Sequence, residues 1–278
     1  MALTTQEFAF VSGLVRREAA IVLDTGKEYL VEARLLPLSR RAGTDSVSAF
    51  VARAQRERAL AEQIVDALTT NETSWMRDRE PFTALTDVVL PEMRAQRSPA
   101  HRLRVWSAAC SSGQEPYGLS MLLEDAGMPY EIHATDISSE MLERAKAGRY
   151  SQLEVNRGLP VPLLVKYFHR AGTEWEVSEA LRRKITFQKL NLAAPLPSAQ
   201  PFDVVFLRNV LIYFDIETKR AVLRGIRRLM RPDGWLFLGA AETTIGIDDG
   251  FDRVVAGRAS AYRPRAAAGA PVNAMGRG

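Results

Sequence analysis

The sequence predicts an α/β protein with a mostly parallel sheet covered on both faces, preceded by a small all-α domain. Two observations carry this. Beyond residue 100, short apolar runs rich in β-branched residues alternate with amphipathic segments, the pattern of parallel strands joined by helical crossovers. The first seventy residues read instead as helices separated by polar turns. Composition permits such a fold: with 278 residues, 46% hydrophobic and 25% charged, the chain can bury a substantial core in one large or two ordinary domains.

Taken in order, FAFVSGLVRREA, SVSAFVARAQ and ALAEQIVDALTT are helical, with turns near Gly26 and Gly43, so residues 1–70 form the helical domain. NETSWMRD, residues 71–78, has no apolar period, and its only apolar residues, Trp75 and Met76, are adjacent. Residues 71–80 are therefore a linker, either a capped turn with Asn71 as N-cap or the lining of a site. PFTALTDVVLPEM then forms a helix with Phe82, Leu85, Val88, Val89 and Met93 on one face.

The strands are RLRVWSAA, YEIHATDI, KITFQKLN, FDVVFLRN and GWLFLGAA, and helices include GLSMLLEDA, SEMLERAKA and IETKRAVLRGIRRLM. The last of these starts at Asp215, with Thr218 three residues on, and stops at RPDG. Residues 151–188 interrupt the alternation: Gly172, the alternating Trp175 and Val177, and a return through Ile185 and Phe187 read as a small inserted antiparallel subdomain. FDRVVAGRASAYR is a hairpin around Gly257 that closes the sheet edge and ends the 81–265 domain. Residues 266–278 read as a disordered tail.

Several function classes drop out. The apolar runs VVFL and VLIYF fall far short of the ~20 residues of a membrane span. MALTTQEF lacks the features of a secretory signal, so a cytoplasmic protein without membrane insertion is expected. One cysteine allows no internal disulfide, and His101, His133 and His169 have no metal-ligand spacing, so no metal is expected. The net charge of +4 is not focused enough to suggest nucleic acid. Two basic excesses, over residues 34–58 and over 219–231 with six cations and no acid, point to an acidic partner.

Open α/β sheets bind ligands at the carboxyl ends of their strands, so the chemistry should follow the strands. After the first comes a tight turn of small residues, Ala108 to Gly113, which lets a ligand approach the backbone. Asp136 ends the second, placed to accept hydrogen bonds from ribose hydroxyls. The turn is not G-x-G-x-x-G, and Glu115 would repel a pyrophosphate but suits a sulfonium, which favours S-adenosylmethionine over a dinucleotide. The other reading of the turn is an ordinary strand-to-helix connection whose Glu115 complements the helix dipole. Cys110 is read as a buried thiol rather than a nucleophile. Asn191 can read an adenine edge while Leu192 covers a ring face. Arg208 and Asn209 are polar residues at the end of a buried strand, where a bland sequence would stay apolar or turn with glycine, and Tyr213 offers a hydroxyl nearby.

As a set, NETSWMRD, RVWSAACSSGQEPYGLSM, IHATDIS, FQKLNL, FDVVFLRNVLIYF and GWLFLGAAE resemble the chemotaxis receptor methyltransferases, the CheR family, over about residues 5–264. The resemblance implies a Rossmann-like methyltransferase domain and S-adenosylmethionine-dependent methyl esterification of glutamates on a chemoreceptor's cytoplasmic helical bundle, leaving S-adenosylhomocysteine. By motif position it places cofactor contacts on Asn71, Thr73, Arg77, Glu115, Asp136, Asn191, Leu192, Arg208 and Asn209. It makes Arg77 and Tyr213 the residues nearest the transfer, with Trp75 and Met76 packed in the interdomain contact. HRAGTEWEV is shorter than the Gly-rich loop some members dock on a receptor pentapeptide, which argues against that tether and for docking through Arg53 and Arg56. A monomer is expected. Two other readings stay open: a cofactor-binding regulatory module with little turnover, and a methyltransferase acting on another carboxylate.

Overall fold

In the computed structural model, which describes residues 3–265, the N-terminal core is built from four helices: α1 (Thr5–Ala19), α2 (Glu28–Arg41), α3 (Val47–Ala54) and α4 (Arg58–Leu68). They bury Val11, Val15, Leu35, Phe50 and Ile64 against one another. A capping box between Thr4 and Glu7 starts α1. The sequence pattern does not announce α2, because Pro37 sits in its interior. Burial of Val31, Leu35 and Leu38 on one face outweighs that defect.

Beyond the linker, α5 (Glu80–Ala84), a π-helical turn (Leu85–Val89) and α6 (Leu90–Gln96) run as one rod. Phe82, Leu85, Val89 and Met93 are buried as expected, and Val88 is partly so. The wide turn ends two residues before Pro91, whose ring and missing N–H do not suit a regular helix.

The main sheet has the order β6-β2-β1-β7-β8-β10-β9. Its strands are β1 (Leu103–Ala108), β2 (Tyr130–Asp136), β6 (Ile185–Lys189), β7 (Phe202–Leu207), β8 (Met230–Leu238), β9 (Phe251–Ala256) and β10 (Ala259–Pro264). The first five are parallel, and β10 is antiparallel to β8 and β9. Because both faces are covered, β7 is apolar at consecutive positions apart from Asp203: Val204 and Phe206 join one core, Val205 and Leu207 the other. Crossover helices α7 (Gln114–Asp125), α8 (Ser139–Ala147) and α12 (Ile216–Arg228) join the strands, and Asp215 caps α12 by accepting from the Thr218 amide at 2.9 Å.

Two expectations need correcting. RPDG does not form a stop after α12; it lies within β8, where a register shift between Phe202 and Val204 accommodates Pro232 and Gly234. The inserted subdomain is a three-stranded sheet of β3 (Arg149–Tyr150), β5 (Glu174–Val177) and β4 (Phe168–Ala171), with α9 (Gln152–Asn156) and α10 (Val161–Tyr167) between β3 and β4. It starts at Arg149 and is complete at Val177; after the short α11 (Glu179–Arg182), Ile185 and Phe187 return in β6, beside β2. The hairpin around Gly257 forms as expected, whereas the tail at 266–278 lies outside the described residues.

Candidate functional site

The strand order reverses at β1, from which the chain runs outward to β2 and β6 before returning to β7 on the other side. At this switch point, outside the carboxyl ends of the strands, lies a cleft with about 920 Å³ of empty space, its open mouth included.

Backbone conformation shapes its floor. Ala109 (φ 69°), Ser111 (φ 48°) and Gly113 (φ 95°) all adopt left-handed conformations in the turn after β1. Such strain persists only where surroundings enforce it. The amides of Ala109 and Cys110 donate to the Thr135 carbonyl at 2.8 and 2.9 Å, and the Ser111 amide donates to Asp136 at 2.7 Å. A side chain at Gly113 would be strained at this φ and would bring its Cβ to 2.9 Å from the Tyr150 hydroxyl, so neighbours would have to shift. Asp136 also accepts from the Ser138 amide at 2.9 Å; burial pushes its carboxyl up, against the opposing pull of the Ser138 and Ser111 amides. Two amides occupy two of about four lone-pair sites, so capacity for ribose hydroxyls remains.

The linker forms the opposite wall. Asn71, Thr73 and Arg77 line the cleft, and the Asn71 carbonyl accepts from the Ser111 hydroxyl at 2.8 Å. No helix begins at Asn71, so the N-cap reading is not realised; its side chain accepts from the Thr69 hydroxyl instead. Arg77 donates to the Glu72 carbonyl at 3.1 Å, leaving most of its five N–H groups uncommitted. Trp75 and Met76 do not pack against the helical domain. Trp75 meets Tyr150 and Phe168 edge-on, with centroids 4.9 and 5.5 Å away, and Met76 lies under Gly118. Their apolar bulk serves the α/β core because the inserted subdomain, rather than α4, covers this side of the linker.

The Trp75 amide donates to the Arg157 carbonyl at 3.1 Å, and Gly158 (φ 100°) lies against the Trp75 carbonyl with no space for a Cβ. Gly158→Ala should therefore lower stability by about 2 kcal/mol or more in urea unfolding, through strain and displacement of the linker. An unchanged midpoint would show that this contact does not hold the linker.

Arg208 ties the linker to the sheet. Its buried guanidinium donates to Glu115 at 3.1 Å, to Asp78 at 2.8 Å and to the Arg77 carbonyl at 2.6 Å. Glu115 also accepts from the Ser107 hydroxyl at 2.8 Å. Burial raises the Glu115 carboxyl, and Arg208 is the strongest opposing influence. The expectation that Glu115 presents a bare charge to a sulfonium is thus corrected: Arg208 already compensates it. Both residues line the cleft, with their charged ends engaged by protein.

Asn191 and Leu192 follow β6 and also line the cleft. The Asn191 amide group donates to the Glu18 carbonyl at 2.7 Å, and its oxygen accepts from the Ala193 amide at 2.9 Å. Part of its capacity for reading an adenine edge is thus spent holding the end of α1 against the sheet. Leu192 is buried and, with Ile137 and Leu190, supplies apolar lining of the cleft. Asn209 (φ 57°) and half-buried Tyr213, in a 3-10 turn (Leu211–Tyr213), complete the site. Cys110 is buried and its thiol is pushed well up by that burial, as an inert thiol should be.

The ten site residues singled out from the sequence therefore converge on one cleft. The basic surfaces change meaning. Arg53, though exposed, is held by both carboxylate oxygens of Glu57, at 3.0 and 3.1 Å, whereas exposed Arg56 makes no ion pair among the described residues. Within 219–231, Arg220 pairs with Glu217, Arg227 with Asp248, and Arg231 with Asp203 and Asp233. Asp78 and Glu242 are structural partners of the site that no strand-end or motif argument assigned. An acid directly after the buried strand GWLFLGAA was a legible signal, the same one that marks Arg208.

Two family descriptions cover nearly the whole chain: "CheR methyltransferase, all-alpha domain" over residues 6–69 and "CheR methyltransferase, SAM binding domain" over residues 71–259. The chain is 42% identical to chemotaxis protein methyltransferase 1 of Pseudomonas aeruginosa, over 95% of this chain and 100% of that protein. It is 42% identical to chemotaxis protein methyltransferase Cher2 of Pseudomonas putida, over 86% and 91% of the two chains. Against the chemotaxis protein methyltransferase of Escherichia coli the identity is 34%, over 87% and 86%. Matched in both domains, with its switch-point cleft built from the residues the motifs marked, the chain belongs to the CheR methyltransferase family.

Proposed function

We propose that the protein transfers the methyl group of S-adenosylmethionine to glutamate side chains on the cytoplasmic helices of a chemoreceptor, leaving glutamyl methyl esters and S-adenosylhomocysteine. The convergence on one cleft of ten residues, from the linker and from the carboxyl ends of four strands or the segments just after them, supports this most directly. The cleft fits the cofactor: Asp136 keeps lone pairs for ribose hydroxyls, Ile137 and Leu192 offer apolar faces for a purine, and the strained 109–113 turn allows close approach to backbone. When bound, S-adenosylmethionine supplies a methyl group already activated by a sulfonium.

A glutamate is ionised at neutral pH, so the reaction needs no general base. The residues of this chain align the groups and exclude water. Arg77 has N–H groups to orient a carboxylate, Tyr213 shapes the wall at the mouth, and the linker covers the cleft. Only Gly172 and Thr173 join β4 to β5, which favours receptor recognition without a pentapeptide tether. Exposed Arg56 is then available to acidic helices.

The test is incubation with methyl-labelled S-adenosylmethionine and receptor cytoplasmic fragments. Base-labile label on glutamates is expected. Base-stable label, or none despite cofactor binding, would overturn the glutamate reading.

A further inference from the structure

Glu242 follows β8 and reaches across to the turn that leaves β7. One carboxylate oxygen accepts from the amides of Gly239 and Asn209, both at 2.7 Å. The other accepts from Val210 at 2.9 Å and Leu211 at 2.7 Å, with the Ile212 amide at 3.4 Å. Successive amides pointing at one anion form a nest, here filled by the protein's own carboxylate. The turn needs that support. Asn209 is left-handed at φ 57°, and the amides of residues 209–211 would otherwise converge without an acceptor.

What this turn carries makes the clamp functional. Asn209, Val210, Tyr213 and Phe214 line the cleft, whereas Glu242 does not. Gly239 completes the device, because a Cβ there would come within 2.7 Å of both the Asn209 side-chain nitrogen and the Glu242 carboxylate. Only glycine lets the two strand ends approach this closely. We propose that Glu242 is a positioning residue for methyl transfer, acting through the 209–213 turn to hold Tyr213 at the reacting end of the cleft. This rests on the proposed function.

Glu242→Gln keeps the shape but sets an NH₂ against amide donors. Hydrogen exchange of the 209–212 amides should quicken by about tenfold or more. Methylation kcat should fall by about tenfold or more while the receptor-fragment KM stays within about threefold. In a Tyr213→Phe background, the same substitution should reduce kcat by less than about threefold, since the two act as a unit. Gly239→Ala, which displaces the clamp from the other side, should reproduce the quickened exchange and the lowered kcat. Unchanged exchange, full turnover despite quickened exchange, or an undiminished effect in the Tyr213→Phe background would each overturn the proposal. If the unaltered protein makes no methyl ester, the proposed reaction fails instead, and the exchange rates still judge the clamp.

Discussion

Arg208→Met should reduce the free energy of unfolding by about 3–5 kcal/mol, the magnitude for stripping one partner from a buried ion pair. The side chain is 2% exposed and faces a Glu115 side chain that is 12% exposed, so little solvent screens the loss. The deficit should depend on pH. Burial already raises the Glu115 carboxyl above its ordinary 4.5, and removing Arg208, the chief opposing influence, raises it further. A carboxyl with a higher pKa folded than unfolded binds more protons in the native state within that window, so stability falls as pH rises through it. The variant's deficit should therefore be largest at pH 8 and shrink towards pH 5. Urea unfolding of both proteins at the two pH values checks this. A deficit below about 1 kcal/mol, or one independent of pH, would show that Arg208 is not what compensates Glu115.

The second large effect belongs to Asp136→Ala. Loss of a charge-assisted hydrogen bond to the ligand should weaken S-adenosylhomocysteine binding by about 1.5–3 kcal/mol, roughly tenfold to more than a hundredfold in Kd. Stability should also fall, by about 1–3 kcal/mol, because the amides of Ser111 and Ser138 lose their acceptor. Calorimetric titration and urea unfolding separate the two. Reduced stability with unchanged affinity would make Asp136 a brace for the 109–113 turn and remove it from the ligand's contacts.

Position in the sequence pointed to residues that line one cleft but described their hydrogen bonding incompletely. Asp136, Arg208 and Asn209 were legible because each places a polar group at or just after the end of a buried strand, which the geometry of a parallel sheet turns into an address. What that address cannot show is how a side chain's hydrogen bonds are shared. Glu115 and Arg208 pair with each other, and Asn191 holds α1, because desolvated groups take partners wherever the fold offers them. Trp75 shows the same limit in apolar form: its burial was readable, but its partners, Tyr150 and Phe168, come from a subdomain about eighty residues along the chain.

The α/β class, the strands of the main sheet with their helical crossovers, and the placing of Asp136, Arg208 and Asn209 at strand ends were all legible in the sequence. These depend on local periodicity and on the rule that parallel strands present their carboxyl ends together. Tertiary structure alone decided the start and end of the inserted sheet, the formation of α2 despite Pro37, and the clamp of Glu242 on the 209–212 amides. Each joins segments through burial or through a charge reaching distant backbone donors, and the strength of such contacts depends on desolvation that no local pattern records.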